Sequence, residues 1–241
     1  MLLEAADVQR SGRGRQQAGL RLADVGFWIL IQRRHAHEVL RLESSEGNGQ
    51  VVPLLQPGEA SEISQRLAFL FEPGMLRGAA LLGQGAVEDA IARIREGAAK
   101  WTRLGRTFNL PYGLAFLAEG LARHGDRAVA LATLREGLET AGATGEHMWD
   151  AELHRLTGTV LLAENKLDEG QASLQQAIRI AQAQQAKSLE LRAATSLAQL
   201  WGEQGRRAEA RDLLAPVYGW FTEGFDTADL KAAAALLSEL A

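Results

Sequence analysis

The five histidines are the residues with the most obvious potential for metal or acid–base chemistry, at positions 35, 37, 124, 147 and 154. None belongs to a His-Glu-x-x-His motif, which would place two ligands on one face of a helix. His35 and His37 are two positions apart, so on a helix their side chains point about 200° away from each other. We therefore predict surface histidines and no metal site.

Other catalytic motifs are missing from the sequence. The chain has no cysteine, which excludes disulfides, thiolate-bound zinc and thiol catalysis. It has no Gly-x-Ser-x-Gly nucleophile elbow and no Gly-x-x-x-x-Gly-Lys-Ser/Thr phosphate loop. Glu152, His154 and Arg155 form a cluster with acid–base character, although packing on a repeat helix is the preferred interpretation. We predict a protein that is not an enzyme and needs no cofactor.

The charge and hydropathy of the chain limit the classes of partner that it is expected to bind. The net charge is −4 and the pI is about 5.8, which argues against nucleic acid or an anionic membrane surface. The segment 1–41 carries seven arginines and four acidic side chains, and a solvated arm is favoured there over nucleic-acid contact.

Residues 25–31 are apolar, but a bilayer-spanning helix needs about 20 such residues. No secretory signal is found, so we expect a cytoplasmic protein.

The elements that must position any site follow a 40-residue repeat. Small residues recur at Gly78, Ala118, Gly158 and Ala198, and again at Ala90, Ala130, Gly170 and Ala210. Large apolar residues recur at Leu81, Leu121, Leu161 and Trp201, and at Ile94, Leu134, Leu174 and Leu214. Between the two sets lie Gly85, Gly125, Asn165 and Gly205, residue types that tolerate a left-handed turn. Each copy of the repeat is therefore predicted to form two helices joined by a tight turn.

The predicted helix pairs are 66–83 with 87–103, 111–124 with 126–142, 147–164 with 167–185, and 188–204 with 206–219. Residues 226–240 form a final capping helix, since Leu230, Ala233, Ala234 and Leu237 repeat with helical spacing. One pair cannot bury its apolar stripes alone, so neighbouring pairs must stack. The fold class is all-α, a solenoid of helix pairs.

The pattern of small and large residues resembles the tetratricopeptide repeat. The 40-residue period is similar to that of the arrays at the C-terminal ends of large bacterial signalling ATPases. Residues 145–156, 186–194 and 218–230 resemble the tails of bacterial class III adenylate or guanylate cyclases fused to an AAA-type ATPase domain. The resemblance covers residues 71–241 and implies a right-handed superhelical scaffold or sensor segment, without ATPase or cyclase activity of its own.

Residues 1–65 depart from the repeat. Residues 20–42 read as one possible helix with an aromatic-rich start, and Gly47, Asn48, Gly49, Pro53 and Pro57 mark a loop or linker. We predict two regions, an atypical segment at 1–65 and the repeat domain at 66–241. The first repeat lacks a polar cap, so its apolar end is expected to need a partner, upstream domains, or residues 1–65 folded over it.

In tetratricopeptide arrays the first helix of each pair lines a concave groove. That resemblance points to a candidate partner-binding set of Tyr112, Glu119, Arg123, Glu152, Arg155, Arg192, Gln199 and Glu203. The mixed polar set suits a protein or peptide better than a small apolar ligand, and it lacks the lysine and asparagine clamp of chaperone-tail receptors. Trp101, Trp149, Trp201 and Trp220 are assigned to packing.

Three functional hypotheses remain. The first is an interaction scaffold or regulatory module of a bacterial signalling ATPase or cyclase system, which binds a protein partner or self-associates through its ends. The second is a small-molecule sensor that holds its ligand inside the superhelix. The third is a nonfunctional fragment of a larger cyclase or ATPase.

Overall fold

The computed structural model describes residues 73–241, and this part of the chain forms nine α-helices and no strand. A short 3₁₀ turn, His147–Trp149, precedes the fifth helix. The helices are α1 Pro73–Gly83, α2 Val87–Arg103, α3 Leu110–His124, α4 Arg127–Thr144, α5 Asp150–Ala163, α6 Leu167–Ala183, α7 Lys187–Glu203, α8 Arg207–Tyr218 and α9 Ala228–Glu239.

The helix boundaries follow the repeat. The second helix of each pair begins at Val87, Arg127, Leu167 or Arg207, so successive pairs are separated by the period that the sequence predicts. Pro111 lies in the first turn of α3, where its missing N–H leaves no helical hydrogen bond unmade. The all-α assignment and the predicted pairing are confirmed for the described residues.

The tight turns within the pairs adopt the left-handed backbone that the sequence predicts. The φ angles are +85° at Gly85, +105° at Gly125 and +78° at Gly205. Asn165 occupies the same place in the third pair with φ of +59°. Asparagine is among the few residues with a side chain that visit this region readily.

A second left-handed column, absent from the sequence prediction, lies between the pairs. Gly105, Gly145 and Gln185 have φ angles of +66°, +74° and +56°. They recur with the same period as the turns inside the pairs, so each of these three connections contains a left-handed residue at the same repeat position. Gln185 hides the pattern, because glutamine is not a residue type that marks left-handed turns.

Small residues bring the two helices of a pair together. A Cβ atom on Gly158 would lie 2.9 Å from the carbonyl oxygen of Gly170, and a Cβ on Gly170 would lie 3.1 Å from that of Gly158. The backbones of α5 and α6 therefore touch at these two glycines. Ala90, Ala130 and Ala210 occupy the equivalent place in the other pairs and are fully buried.

The large apolar columns contribute to the core. Ile94, Leu134, Leu174 and Leu214 are each at most 1% exposed, as predicted. Leu81 and Trp201 are only half-buried. The Trp201 ring stays near the surface because its Nε1 donates a hydrogen bond to Gln171 Oε1 at 3.0 Å and the Arg206 guanidinium lies 4.4 Å from its ring centre.

The helices are arranged in two layers. The first helices α1, α3, α5 and α7 contact one another in sequence, each packing on the next, whereas the second helices pack mainly on their own partner and on the first helix that follows. The first helices therefore form the inner layer, which lines the groove. Helix α9 packs against α7 and α8 and closes the C-terminal end, so the predicted capping helix is confirmed.

Some predictions fall on other parts of the chain. The atypical segment 1–65, the possible helix at 20–42, His35, His37 and the start of the first predicted helix at 66 lie outside the described residues. Within residues 73–241, none of the helices combines the length and apolar character that crossing a bilayer requires.

Candidate functional site

A pocket of about 280 Å³, including the open space at its mouth, lies on the inner layer between α3, α5 and α7. It has an aromatic and aliphatic wall beside charged side chains. Its lining comprises Tyr112, Ala115, Phe116, Glu119, Trp149, Glu152, Leu156 and Arg192. Tyr112, Glu152 and Arg192 are each one repeat period apart, so the solenoid stacks one repeat position from three successive pairs along the groove.

Three aromatic rings build the apolar wall. Tyr112 stacks on Trp149 with ring centres 4.0 Å apart and planes 27° apart. Phe116, one helical turn from Tyr112, meets it edge-on at 4.6 Å and 73°. Trp149 is 1% exposed, and the edge-on contact of Phe116 with Tyr112 is an arrangement that aromatic pairs prefer. The three rings therefore form one packed aromatic wall.

Asn109 fixes the position of Trp149. It is buried, with a left-handed φ of +59°, and its Oδ1 accepts a hydrogen bond from Trp149 Nε1 at 3.0 Å. Its backbone N–H donates to both carboxylate oxygens of Glu146, at 3.0 and 3.1 Å. Burial raises the pKa of Glu146, and the Asn109 hydrogen bond partly offsets that rise. These contacts tie the start of α3 to the segment before α5.

Glu152 and Arg192, both in the pocket lining, belong to a network of ion pairs. Arg155 donates from Nε and Nη2 to the two oxygens of Glu152, at 2.9 and 2.8 Å. Arg192 Nη1 approaches Glu152 Oε1 at 2.8 Å, and Arg192 Nε lies 3.8 Å from Asp229 Oδ2. Burial acts to lower the pKa of Arg155, but the charges of Glu152, Glu119 and Asp229 outweigh burial and raise it. The network joins α5, α7 and α9.

Four of the eight predicted groove residues line the pocket, namely Tyr112, Glu119, Glu152 and Arg192. Arg155 belongs to the same cluster through Glu152 but does not line the pocket. These five residues therefore share one region of the inner layer, and their role in partner binding stays a prediction.

The other three predicted residues lie apart from the pocket lining. Arg123 is exposed, and it pairs with Glu119 at 2.5 Å and donates to the Leu82 carbonyl at 3.0 Å. Gln199 and Glu203 are exposed further along α7, where Gln199 Nε2 donates to Glu203 Oε1 at 3.2 Å. The structure therefore does not bring Gln199 and Glu203 to the pocket, and Arg123 reaches it only through Glu119.

Apart from Tyr112, the sequence prediction missed the apolar half of the pocket. Phe116 and Leu156 are in adjacent first helices, where their side chains look like ordinary core residues. Trp101 and Trp149 are packed, at 3% and 1% exposed, as expected, yet Trp149 also lines the pocket. The packing assignment is wrong for Trp220, which is 53% exposed because it lies in the loop between α8 and α9.

Glu152, His154 and Arg155 do not act as one cluster in the structure. Glu152 pairs with arginine side chains, whereas the charges that act on the pKa of His154 are those of Asp150 and Arg179. Burial, the largest influence, lowers the pKa of His154, so the neutral imidazole is favoured. Within residues 73–241, no three histidine, aspartate or glutamate side chains are grouped to hold a metal ion. The geometry suits recognition by contact and charge.

Comparison with known proteins identifies the fold. No protein family and no curated protein matches the sequence. The structure is similar to the crystal structure of a Signal Transduction ATPase with Numerous Domains protein with a tetratricopeptide repeat sensor, from Pyrococcus horikoshii, with a TM-score of 0.55 and 16% sequence identity. The fold is a tetratricopeptide-like helical solenoid. The match covers 91% of this chain and 32% of that one, so this chain spans about a third of the length of the ATPase.

Proposed function

We propose that the repeat domain is a non-catalytic interaction and regulatory module that binds a polypeptide segment in its groove. The observation that carries this proposal is the pocket between α3, α5 and α7, where Phe116 and Leu156 lie beside the carboxylate of Glu119. An apolar wall next to a charged rim is the usual composition of a peptide-binding groove. Folds of this kind typically serve binding and lack catalytic machinery.

The shallowness of the pocket argues against a metabolite. Its volume of about 280 Å³ includes the open space at the mouth, and the enclosed part holds about one water molecule. Pockets for small molecules usually enclose about 300–1,000 Å³ and bury most of the ligand. A peptide that lies across the inner layer needs no such enclosed cavity. The small-molecule sensor is therefore the second candidate, supported by the description of the repeats in the P. horikoshii protein as a sensor.

We further propose that the module regulates a signalling ATPase. The resemblance of residues 145–156, 186–194 and 218–230 to cyclase and ATPase tails supports this assignment, as does the fold shared with a repeat-containing ATPase. The association with a class III cyclase, the bacterial origin and the cytoplasmic location rest on the sequence resemblance alone.

A peptide-display screen against the full chain tests the groove. Glu119→Gln removes the rim charge while keeping the shape of the side chain, whose exposed fraction is 15%. Glu139→Gln is the matched control, because Glu139 is exposed on α4 in the outer layer. We expect enriched peptides to bind Glu119→Gln about tenfold more weakly, since a hydrogen bond to a charged group contributes about 1.5–3 kcal/mol. Glu139→Gln should bind normally.

Two results would reject the groove assignment. One is a screen that enriches no peptide. The other is a set of enriched peptides whose affinities for Glu119→Gln and wild type are equal. Reversing the charge of Arg155 or Arg192 is a poorer test, because both guanidiniums belong to the largely buried Glu152 network and their loss perturbs the fold.

A further inference from the structure

The exposed apolar side chains of the solenoid are concentrated in two of its connections. In the described part of the chain, six large apolar side chains are exposed. Four of them lie in the α2–α3 and α8–α9 connections, namely Leu104, Phe108, Trp220 and Phe225. The α4–α5 and α6–α7 connections expose no large apolar side chain. Apolar surface that is grouped in this way marks an interaction site.

Local contacts hold both connections in place. Trp101 Nε1 donates a hydrogen bond to the Phe108 carbonyl at 2.8 Å, and the Arg106 guanidinium lies 4.9 Å from the Trp101 ring centre. In the α8–α9 connection, Trp220 meets Phe221 edge-on, with ring centres 5.2 Å apart. A surface that is ordered before binding loses little conformational entropy when a partner docks on it.

The two connections carry opposite charges. Residues 97–118 contain three basic side chains and no acidic one, whereas residues 219–230 contain three acidic side chains and no basic one. Glu223 and Asp226 are exposed, and within the described residues neither forms an ion pair. The third acidic side chain, Asp229, belongs to the network of ion pairs beside the pocket. An apolar surface bordered by positive charge is complementary to one bordered by negative charge.

Both connections lie on one edge of the solenoid but in different helix pairs. Each follows the second helix of an antiparallel pair, which places them on the same edge. The first and fourth pairs do not pack against each other, so the two connections do not meet within one solenoid. When two copies align these edges in opposite directions, each basic connection faces the acidic connection of the other copy, and the contact forms twice by symmetry.

We propose that two copies of the chain associate edge to edge in opposite directions, with the α2–α3 connection of each copy docked on the α8–α9 connection of the other. Four large apolar side chains from each copy leave water. Both contacts contain tryptophan and arginine, the residue types that contribute most to interface affinity. The inner layer stays open, so the inference goes beyond the proposed function and does not depend on it.

Cysteine crosslinking in the full chain tests the arrangement, because the chain has no cysteine of its own. Thr107→Cys and Thr222→Cys each place one thiol at an exposed position of a connection. We expect a short bismaleimide to join the two variants when they are mixed, and to join neither variant to itself. The matched control is a mixture of Thr107→Cys with Glu139→Cys, whose thiol is on α4 in the outer layer, and it should give no product.

Charge reversal tests the attraction between the connections. Light scattering of the wild type should show a monomer–dimer equilibrium that weakens as the salt rises from about 50 mM to about 500 mM. Lys100→Glu with Arg103→Glu should weaken the dimer about tenfold or more, and so should Glu223→Lys with Asp226→Lys. Mixing these two double variants restores opposite charges at both contacts, so the dimer should form again.

Two controls separate the contact from effects on folding. Arg127→Glu with Arg135→Glu makes the same change of charge on exposed residues of α4 and should dimerise as wild type does. If a charge-reversed variant loses its helical circular dichroism signal, Trp220→Ser replaces it, with Leu167→Ser as the control at another exposed apolar residue. Loss of the dimer with Trp220→Ser alone supports the proposal, and equal dimerisation of both variants rejects it.

Three further results overturn the proposal. The first is a wild-type protein that stays monomeric at every concentration and salt. The second is a Thr107→Cys or Thr222→Cys protein that crosslinks to itself, since like connections would then be in contact. The third is an assembly larger than a dimer, which would mean a one-sided contact that does not close. None of these results bears on peptide binding in the groove, so the two proposals fail separately.

Discussion

Glu152 shows how a single residue links the groove to the C-terminal helix. Its side chain is largely buried and contacts Arg155 on the same helix and Arg192 on the next inner helix. Arg192 in turn approaches Asp229 of α9. Removing one partner of a buried ion pair leaves an uncompensated charge in a medium that solvates it poorly, which is far more destabilising than removing the whole pair.

Glu152→Gln is therefore expected to lower the free energy of unfolding by about 3–5 kcal/mol. The amide keeps the shape of the side chain but leaves the positive charges of Arg155 and Arg192 without the carboxylate that neutralises both. Chemical denaturation followed by circular dichroism measures the change. The matched control is Glu136→Gln, since Glu136 is exposed on α4, and its effect should stay within about 0.5 kcal/mol. Equal stabilities for the two variants would mean that the network contributes nothing to folding.

The repeat period also predicts which individual residues become neighbours in the groove. Tyr112, Glu152 and Arg192 are one repeat apart, and stacking of identical units makes equivalent residues neighbours. Their convergence therefore follows from the sequence once the period is known. Asn109 does not follow, because its hydrogen bond to Trp149 and its left-handed backbone depend on the loop between α2 and α3, whose conformation no repeat column specifies.

At the scale of the helices, the sequence predicted the pairs because the apolar spacing, the small residues and the turn glycines agree with one another. Predicted and observed ends of α2 coincide, and those of α3 to α9 differ by a few residues. The start of α5 is the largest difference, since residues 147–149 form a 3₁₀ turn before the α-helix begins at Asp150. Helix ends depend on local hydrogen bonds that periodicity does not report.

Contact between the paired backbones makes Gly158 sensitive to the addition of a single methyl group. Alanine normally stabilises a helix relative to glycine, by about 0.5–1 kcal/mol. At Gly158 the new Cβ would lie 2.7 Å from Leu174 Cγ and 2.9 Å from the Gly170 oxygen. We expect Gly158→Ala to lower stability by about 1–3 kcal/mol, because α5 and α6 must separate to accept it.

Gly142→Ala is the matched control for that substitution. Gly142 is in α4, and a Cβ there would meet nothing within 4 Å. The control should therefore raise the melting temperature slightly while Gly158→Ala lowers it, and differential scanning calorimetry distinguishes the two signs. A Gly158→Ala protein that is as stable as Gly142→Ala would show that the α5 and α6 backbones are not in contact in solution.

At the scale of the whole molecule, the buried residues of the solenoid form two clusters, one toward each end. One cluster of buried residues extends from α1 through the start of α7, and a second extends from α6 to α9. Each pair contacts only its neighbours, so stability is approximately a sum over pairs and the interfaces between them. The sequence predicted this architecture but not the docking of α9 on α7, since the capping helix has no repeat partner that would fix its orientation.

Leu230→Ala tests whether stability is local in this sense. Leu230 is 2% exposed and belongs to the second cluster, so its truncation should cost about 2–5 kcal/mol. In a globule with one cooperative core, that loss would speed hydrogen exchange everywhere. In a solenoid, the fastest openings involve the end that has been weakened. We expect faster exchange in α7, α8 and α9 and unchanged exchange in α3 and α4. Uniform acceleration along the chain would instead mean that the two clusters unfold as one unit, and a groove between α3, α5 and α7 would then be coupled energetically to every helix.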